Sequence, residues 1–375
     1  MTGSNPQGEA SALSVRSSHT RVSPKALAAL VATVVVLAVI SILNLVTVDK
    51  VLYRPGPVFN TLGELNGQQI ITIEGVETYE TSGSLDFTTV SVDGGPGYDV
   101  TAMEFLLSKF DGSIASEDYE EVFDNSATQQ QVKDQNVELM QVSQEGAAVV
   151  ALRADGVEVP ENIVVAQIIV GAPAEDALQV DDVILSVGGA EVSTPDDVRD
   201  ALQEYEPGTV VPVTVLRDDE EVAIDVPTGP DEDDPERTII GVYLASTFEV
   251  PYDITIDAGN VGGPSAGLMF SLALYDTITP GELTGGLEIA GTGTISSAGE
   301  VGPIGGIQQK LVGASDAGAD YFLAPAANCD EVIGYVPDGL SVAAVGTFDE
   351  AQTAVEAWAA DSDADIARCE DITAG

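Results

Sequence analysis

Residues 26–48 form an unbroken apolar run, ALAALVATVVVLAVISILNLVTV, without a charged side chain. As a helix rising 1.5 Å per residue, it covers a hydrocarbon core of ~30 Å with room for tilt. Beyond it the pattern breaks into short alternations. Residues 69–73 and 88–92 read as strands, and Thr101 caps a predicted helix to Phe110. A longer helical pattern carrying Val132, Leu139, Met140, Ala147 and Val150 runs toward Asp155. No chemistry attaches to residues 55–155, which are expected to form an α/β leader region, a folded spacer or lid.

Residues 156–227 read as a small β-rich module. A strand over 164–170 meets the turn Gly171-Ala172-Pro173-Ala174, and a second over 183–187 ends in the hairpin signal Gly188-Gly189. Ser193 and Thr194 stand before Pro195, which suits a first helical position, and Val198, Ala201, Leu202 and Tyr205 then share one face. Gly208 ends that helix, and residues 210–216 and 221–226 make a hairpin around Asp218-Asp219. Residues 228–236 contain GPDEDDPE, a Pro- and acid-rich linker that marks a domain boundary. The last domain is then 237–375, and the chain reads as an α+β multidomain protein with one N-terminal apolar helix.

Charge changes this picture in two ways. With 62 acidic and 13 basic residues the net charge is −49, which argues against nucleic acid as a partner. Arg16, Arg21 and Lys25 stand before the apolar run, with Glu9 the one acid there. The positive-inside rule therefore puts residues 1–25 in the cytoplasm, residues 26–48 across the cell membrane as a single span, and the rest outside. The competing reading, a cleaved signal peptide, fits less well, because the run exceeds the usual ~7–15 residues and no small-x-small site follows it. The single histidine, His19, lies in the N-terminal tail. Ser-His-Asp, Cys-His and His-rich metal chemistry are thereby excluded, and no metal or cofactor is called for. Cys329 and Cys369 lie 40 residues apart, on the side where disulfides persist. Bridged, they would stabilise the C-terminal segment by roughly 3–4 kcal/mol; the alternative is two free thiols.

After Arg237 the sequence holds two cations, Lys310 and Arg368. In GPIGGIQQKLVGA, the residues Ile307, Lys310, Leu311 and Ala314 fall at i, i+3, i+4 and i+7, which places the lysine on an apolar helix face. Such a lysine either snorkels to solvent or stays desolvated with a lowered pKa, and a neutral amine can act as a general base. Its partner is suggested by VGGPSAGLMFSLAL, residues 261–274. Gly262 and Gly263 allow a tight turn and serve as a candidate oxyanion loop. Ser265 then sits at a helix N-terminus, where free N–H groups favour developing negative charge. An ordinary helix-capping role for Ser265 is the alternative.

The runs GGPSAG, GTGTISSAGEVGPIGGIQQKLVGA and AGADYFLAPAANCDEV make residues 237–358 resemble the proteolytic domain of Lon-type peptidases. The run IIVGAPAEDALQVDDVILSVGGAEV resembles a bacterial PDZ domain. The order of anchor, leader, PDZ module and Lon-like domain is similar to that of the PDZ-Lon membrane proteins of Gram-positive bacteria. This resemblance implies a Ser265 nucleophile, a Lys310 base and Thr292 of GTGT orienting the lysine. It also implies polypeptide substrates, capture of an extended peptide or C-terminus in a groove beside Gly156-Val157, and a homo-oligomeric ring. No lysine follows a glycine, so a G-x-x-x-x-G-K-[ST] loop is absent from this sequence and ATP-independent hydrolysis is expected. The alternative is a peptide-binding or assembly scaffold with an inactive Lon-like domain. If desolvation outweighs the acidic field at Lys310, activity rises with pH and with added salt.

Overall fold

The computed structural model describes residues 23–373, apart from 125 and 232. Arg16, His19 and Arg21 lie outside the described residues. Helix α1 is Pro24–Leu43, capped by the Ser23 hydroxyl, which accepts the Ala26 N–H. None of its residues is buried, and its mean hydropathy is 2.9. Among the described residues it is the one helix long and apolar enough to cross a membrane. It stops at Leu43, before residues 44–48 of the predicted span. Asn44 turns its side-chain amide onto the Ile40 carbonyl, and the β-branched pair Thr47–Val48 forms strand β1, which pairs with Val100–Thr101.

Next come β2 (Lys50–Asn60), β3 (Ser84–Asp93), α2 (Ala102–Ser108), β4 (Ala115–Asp118) and the long helix α3 (Gln129–Ala154). A second group follows: β5 (Glu161–Ile168), β6 (Val183–Val187), α4 (Pro195–Gln203), β7 (Val210–Arg217), β8 (Glu220–Pro227) and β9 (Val242–Phe248). The chain then forms α5 (Gly267–Ile278), β10 (Glu288–Gly291), α6 (Ile307–Ala317), β11 (Tyr321–Pro325), β12 (Ser341–Val345) and α7 (Phe348–Ala360).

The first and third groups build one sheet, ordered β12-β11-β10-β3-β2-β4. The strands from β12 to β3 run parallel, and β2 and β4 add antiparallel. Alternate residues bury opposite faces, as the strand period of 2 requires. Ile289, Leu323 and Val345 join Leu268 and Phe270 of α5, Ala147 of α3 and Phe348 of α7. Ala290, Phe322 and Ala344 join Ile307 and Leu311 of α6 on the other side. The expectation of a separate leader over 55–155 is therefore corrected: β3 pairs directly with β10, and α3 packs on α5 within the same core. The union covers Leu85 and Phe87 of β3 and Ala147, Val150 and Ala151 of α3 in one core.

The middle group forms an antiparallel sheet, β8-β7-β6-β5-β9. Asp218 and Asp219 turn its β7–β8 hairpin with φ of 52° and 63°, the left-handed pair that a two-residue hairpin demands. The acidic stretch 228–236 is not the end of this module. Ile240 enters its core and β9 completes its sheet, so the boundary expected at 237 moves beyond Phe248. The module is thus inserted between α3 and α5 of the larger body. Arg153, at the end of α3, holds the joint: it donates to the carbonyls of Ser297 and Val159 and stacks 5.6 Å from the Phe248 ring.

Candidate active site

Three segments converge at the carboxyl end of β10, the edge where open parallel sheets place their sites. Thr292 follows the last residue of β10, Lys310 projects from the first turns of α6, and Ser265 stands just before α5. Helices on opposite faces of the sheet thus deliver the two groups to one point. Lys310 Nζ lies 2.7 Å from Ser265 Oγ and 2.9 Å from Thr292 Oγ1. The Thr292 hydroxyl donates its hydrogen to the Ser265 carbonyl at 2.9 Å, which leaves its lone pairs for Nζ. Lys310 is 1% exposed and Thr292 is buried, whereas Ser265 is half-buried. Ile307, Leu311 and Ala314 are buried with the lysine, as their helical spacing predicts. Desolvation lowers the Lys310 pKa from 10.5 to about 7.

The loop carrying Ser265 is clamped on both sides. The Gly263 N–H donates to the Asn136 carbonyl, and the Ser143 hydroxyl donates to the Pro264 carbonyl, both at 2.9 Å. Gly263 has φ +88°, and a Cβ on Gly262 would lie 2.9 Å from Asn136 Cβ. Across the loop, the Gly293 N–H donates to the Ser265 carbonyl, whose second lone pair takes the Thr292 hydroxyl. The two glycines therefore serve close approach to α3. The Gly263 amide, expected as an oxyanion donor, is committed to Asn136. Asn136 and Ser143 escaped sequence reasoning, since an Asn and a Ser on a helix carry no local mark of a distant loop. Cys329 and Cys369 are joined in a disulfide that ties the helix Cys369–Thr373 to the α6 side of the sheet.

The inserted module offers a second feature. Strand β5, which follows Gly156-Val157, is paired on both edges, by β6 and β9, and so offers no free edge to an added strand. The outer strand is β9, at the end of the sheet. A cavity of about 380 Å³ lies between it and α4, lined by Val198 and Leu202 on the helix and Val242 and Tyr243 on the strand. Arg199 and Arg237 also line it, and Arg237 lies 3.5 Å from Asp231.

Comparison with known proteins places these features. Residues 249–355 match the Lon protease (S16) C-terminal proteolytic domain, and residues 130–228 match a PDZ domain. A Lon protease from Campylobacter concisus is 26% identical over 179 residues, covering 47% of this chain and 22% of that protein. One from Helicobacter pylori (strain J99) is 29% identical over 183 residues, covering 47% and 21%. The chain thus spans about a fifth of the length of these curated relatives. Among solved structures, the PDZ domain of an SdrC-like protein from Listeria monocytogenes covers 22% of this chain and 86% of its own, at 20% identity and a TM-score of 0.21. The larger body therefore contains the segment that matches a Lon-type proteolytic domain, and the PDZ match covers most of the inserted module together with helix α3 before it.

Proposed function

We propose that this protein is a membrane-anchored, ATP-independent serine endopeptidase in which Ser265 is the nucleophile and Lys310 the base. The observation that carries the reading is the buried Lys310 amine 2.7 Å from the Ser265 hydroxyl. Neutral Nζ accepts the Ser265 proton, and the alkoxide attacks the scissile carbonyl carbon. The Ser265 and Ala266 amides, at the N-terminal end of α5, stabilise the oxyanion. The resulting ammonium, with Thr292 Oγ1 accepting one of its hydrogens, protonates the leaving amine. Water then enters and the acyl-enzyme is hydrolysed by the same steps in reverse roles.

The substrates in this reading are flexible or unfolded extracytoplasmic polypeptides, whose chains reach the site without prior unfolding. The cavity between β9 and α4 supports capture of an extended peptide on the β9 edge, with Arg199, paired with Asp196, and Arg237, beside Asp231, in its lining. The basic residues before α1 support a cytoplasmic N-terminus. The test is proteolysis of unfolded casein by the full chain in detergent. Wild type is expected to cleave, and Ser265→Ala and Lys310→Ala are each expected to lose cleavage and labelling by a fluorophosphonate serine probe. Cleavage surviving in both variants would sink the assignment. Peptide capture without turnover would favour a binding scaffold.

A further inference from the structure

We propose that residues 45–46, α2 and the loop after it form a face that rests in the headgroup layer of the bilayer entered by α1. The proposal rests on reading α1 as a membrane span and extends it to the folded body. The tether is the first argument. Helix α1 ends at Leu43, and Thr47 is already paired with Thr101. The four residue steps between them reach at most ~14 Å even when extended. The Ala102 N–H at the start of α2 donates to the Val46 carbonyl at 2.8 Å, and α1 itself touches α2. A body held this closely cannot stand off from the surface at which its helix emerges.

The side chains at this place are the second argument. Leu45 is 82% exposed, Leu107 58% and Phe110 83%, and Leu106 is exposed beside them. Single exposed apolar residues are ordinary. Here they gather on one short helix and its flanks, continuous with a fully apolar helix, as membrane-contacting surfaces do. The acids among them are exposed but engaged by local partners: Glu104 closes a capping box with Thr101, and Asp111 accepts from Ser113. Lys109 lies 4.7 Å over the Phe105 ring with its ammonium on Ser116, an arrangement suited to an anionic headgroup.

The consequence concerns substrate. Gln309, the neighbour of Lys310, donates from its side chain to the Ser113 carbonyl at 3.1 Å. The loop after α2 therefore links the membrane face directly to the helix that carries the base. Seated in this way, the site takes polypeptide segments lying at the membrane surface in preference to chains far from it.

Depth measurement on the full chain in phosphatidylcholine and phosphatidylglycerol vesicles tests the proposal. The two native cysteines are bonded to each other. Single cysteines introduced as Leu37→Cys in α1, Leu107→Cys in α2 and Asp218→Cys in the distant hairpin therefore accept a nitrobenzoxadiazole label selectively. The expected result is blue-shifted emission at 37 and 107, quenching of 107 by lipids carrying a shallow nitroxide, and no quenching at 218. Quenching at 37 without quenching at 107 would overturn the seated face while leaving the anchor standing. Absence of quenching at both would remove the anchor and the proposal together. A shift at 107 that disappears when the protein is diluted with lipid would assign the face to a second copy of the chain, also overturning it.

Discussion

Replacing Lys310 by methionine keeps the length of the side chain and removes the amine. In the unfolded chain the amine holds its proton up to about 10.5, whereas burial lowers that value to about 7. Between these two values the unfolded state binds more protons than the native one, so wild-type stability rises with pH across the window. A fall of ~3.5 in pKa is worth about 5 kcal/mol, of which about 4 kcal/mol opposes folding at pH 7. Methionine escapes this penalty. It also withdraws the amine from Ser265 and Thr292, a loss of about 1–3 kcal/mol that is reduced because Thr292 keeps its bond to the Ser265 carbonyl. Lys310→Met is therefore expected to be about 1–3 kcal/mol more stable than wild type at pH 7, and less stable than it near pH 10. Denaturant titrations of both proteins across this range, read from the single tryptophan, Trp358, buried in the core of the larger body, measure the difference. A stability difference that is the same at both ends of the range would refute the desolvated amine.

Three further outcomes follow from the same geometry. Because the base must be neutral, kcat/KM is expected to rise with pH through about 7 and then level off; a profile that falls across this range would contradict the role of Lys310. Thr292→Val removes an acceptor from the ammonium but keeps the side-chain shape, so kcat should fall by roughly 10–100-fold and the midpoint of the pH profile should move down. Asp276 is buried with Oδ2 unpartnered; desolvation raises its pKa, the Leu283 N–H opposes and Glu282 adds to the rise. Its native proton is therefore lost at a higher pH than in the unfolded chain, and stability falls as pH climbs above ~4. Asp276→Asn, which can still accept the Leu283 N–H, should raise the melting temperature at neutral pH and change it little in acid.

Much of the local structure was legible because its causes are local. Thr101 and Thr194 cap the helices that follow them through bonds only three residues long. The Asp218-Asp219 turn and the spacing of Ile307, Lys310, Leu311 and Ala314 are likewise settled within a turn or two of chain. Ser265 and Lys310 could be named from their types and neighbours, a serine at a helix start and a lone lysine on an apolar helix face, whereas Thr292 was reached only through the family resemblance.

What the sequence alone determined is therefore which segments are helix, strand or apolar run, and which side chains have chemistry to offer. The tertiary structure alone decided where they meet. Ser84 pairs across about 200 residues with Glu288, and β9 returns past an acidic loop to close the PDZ sheet, because strand edges are interchangeable until burial selects among them. The engagement of Gly263 by Asn136 and the low pKa of Lys310 have the same origin. Both depend on which surfaces are finally excluded from water, and that exclusion is a property of the whole packed molecule.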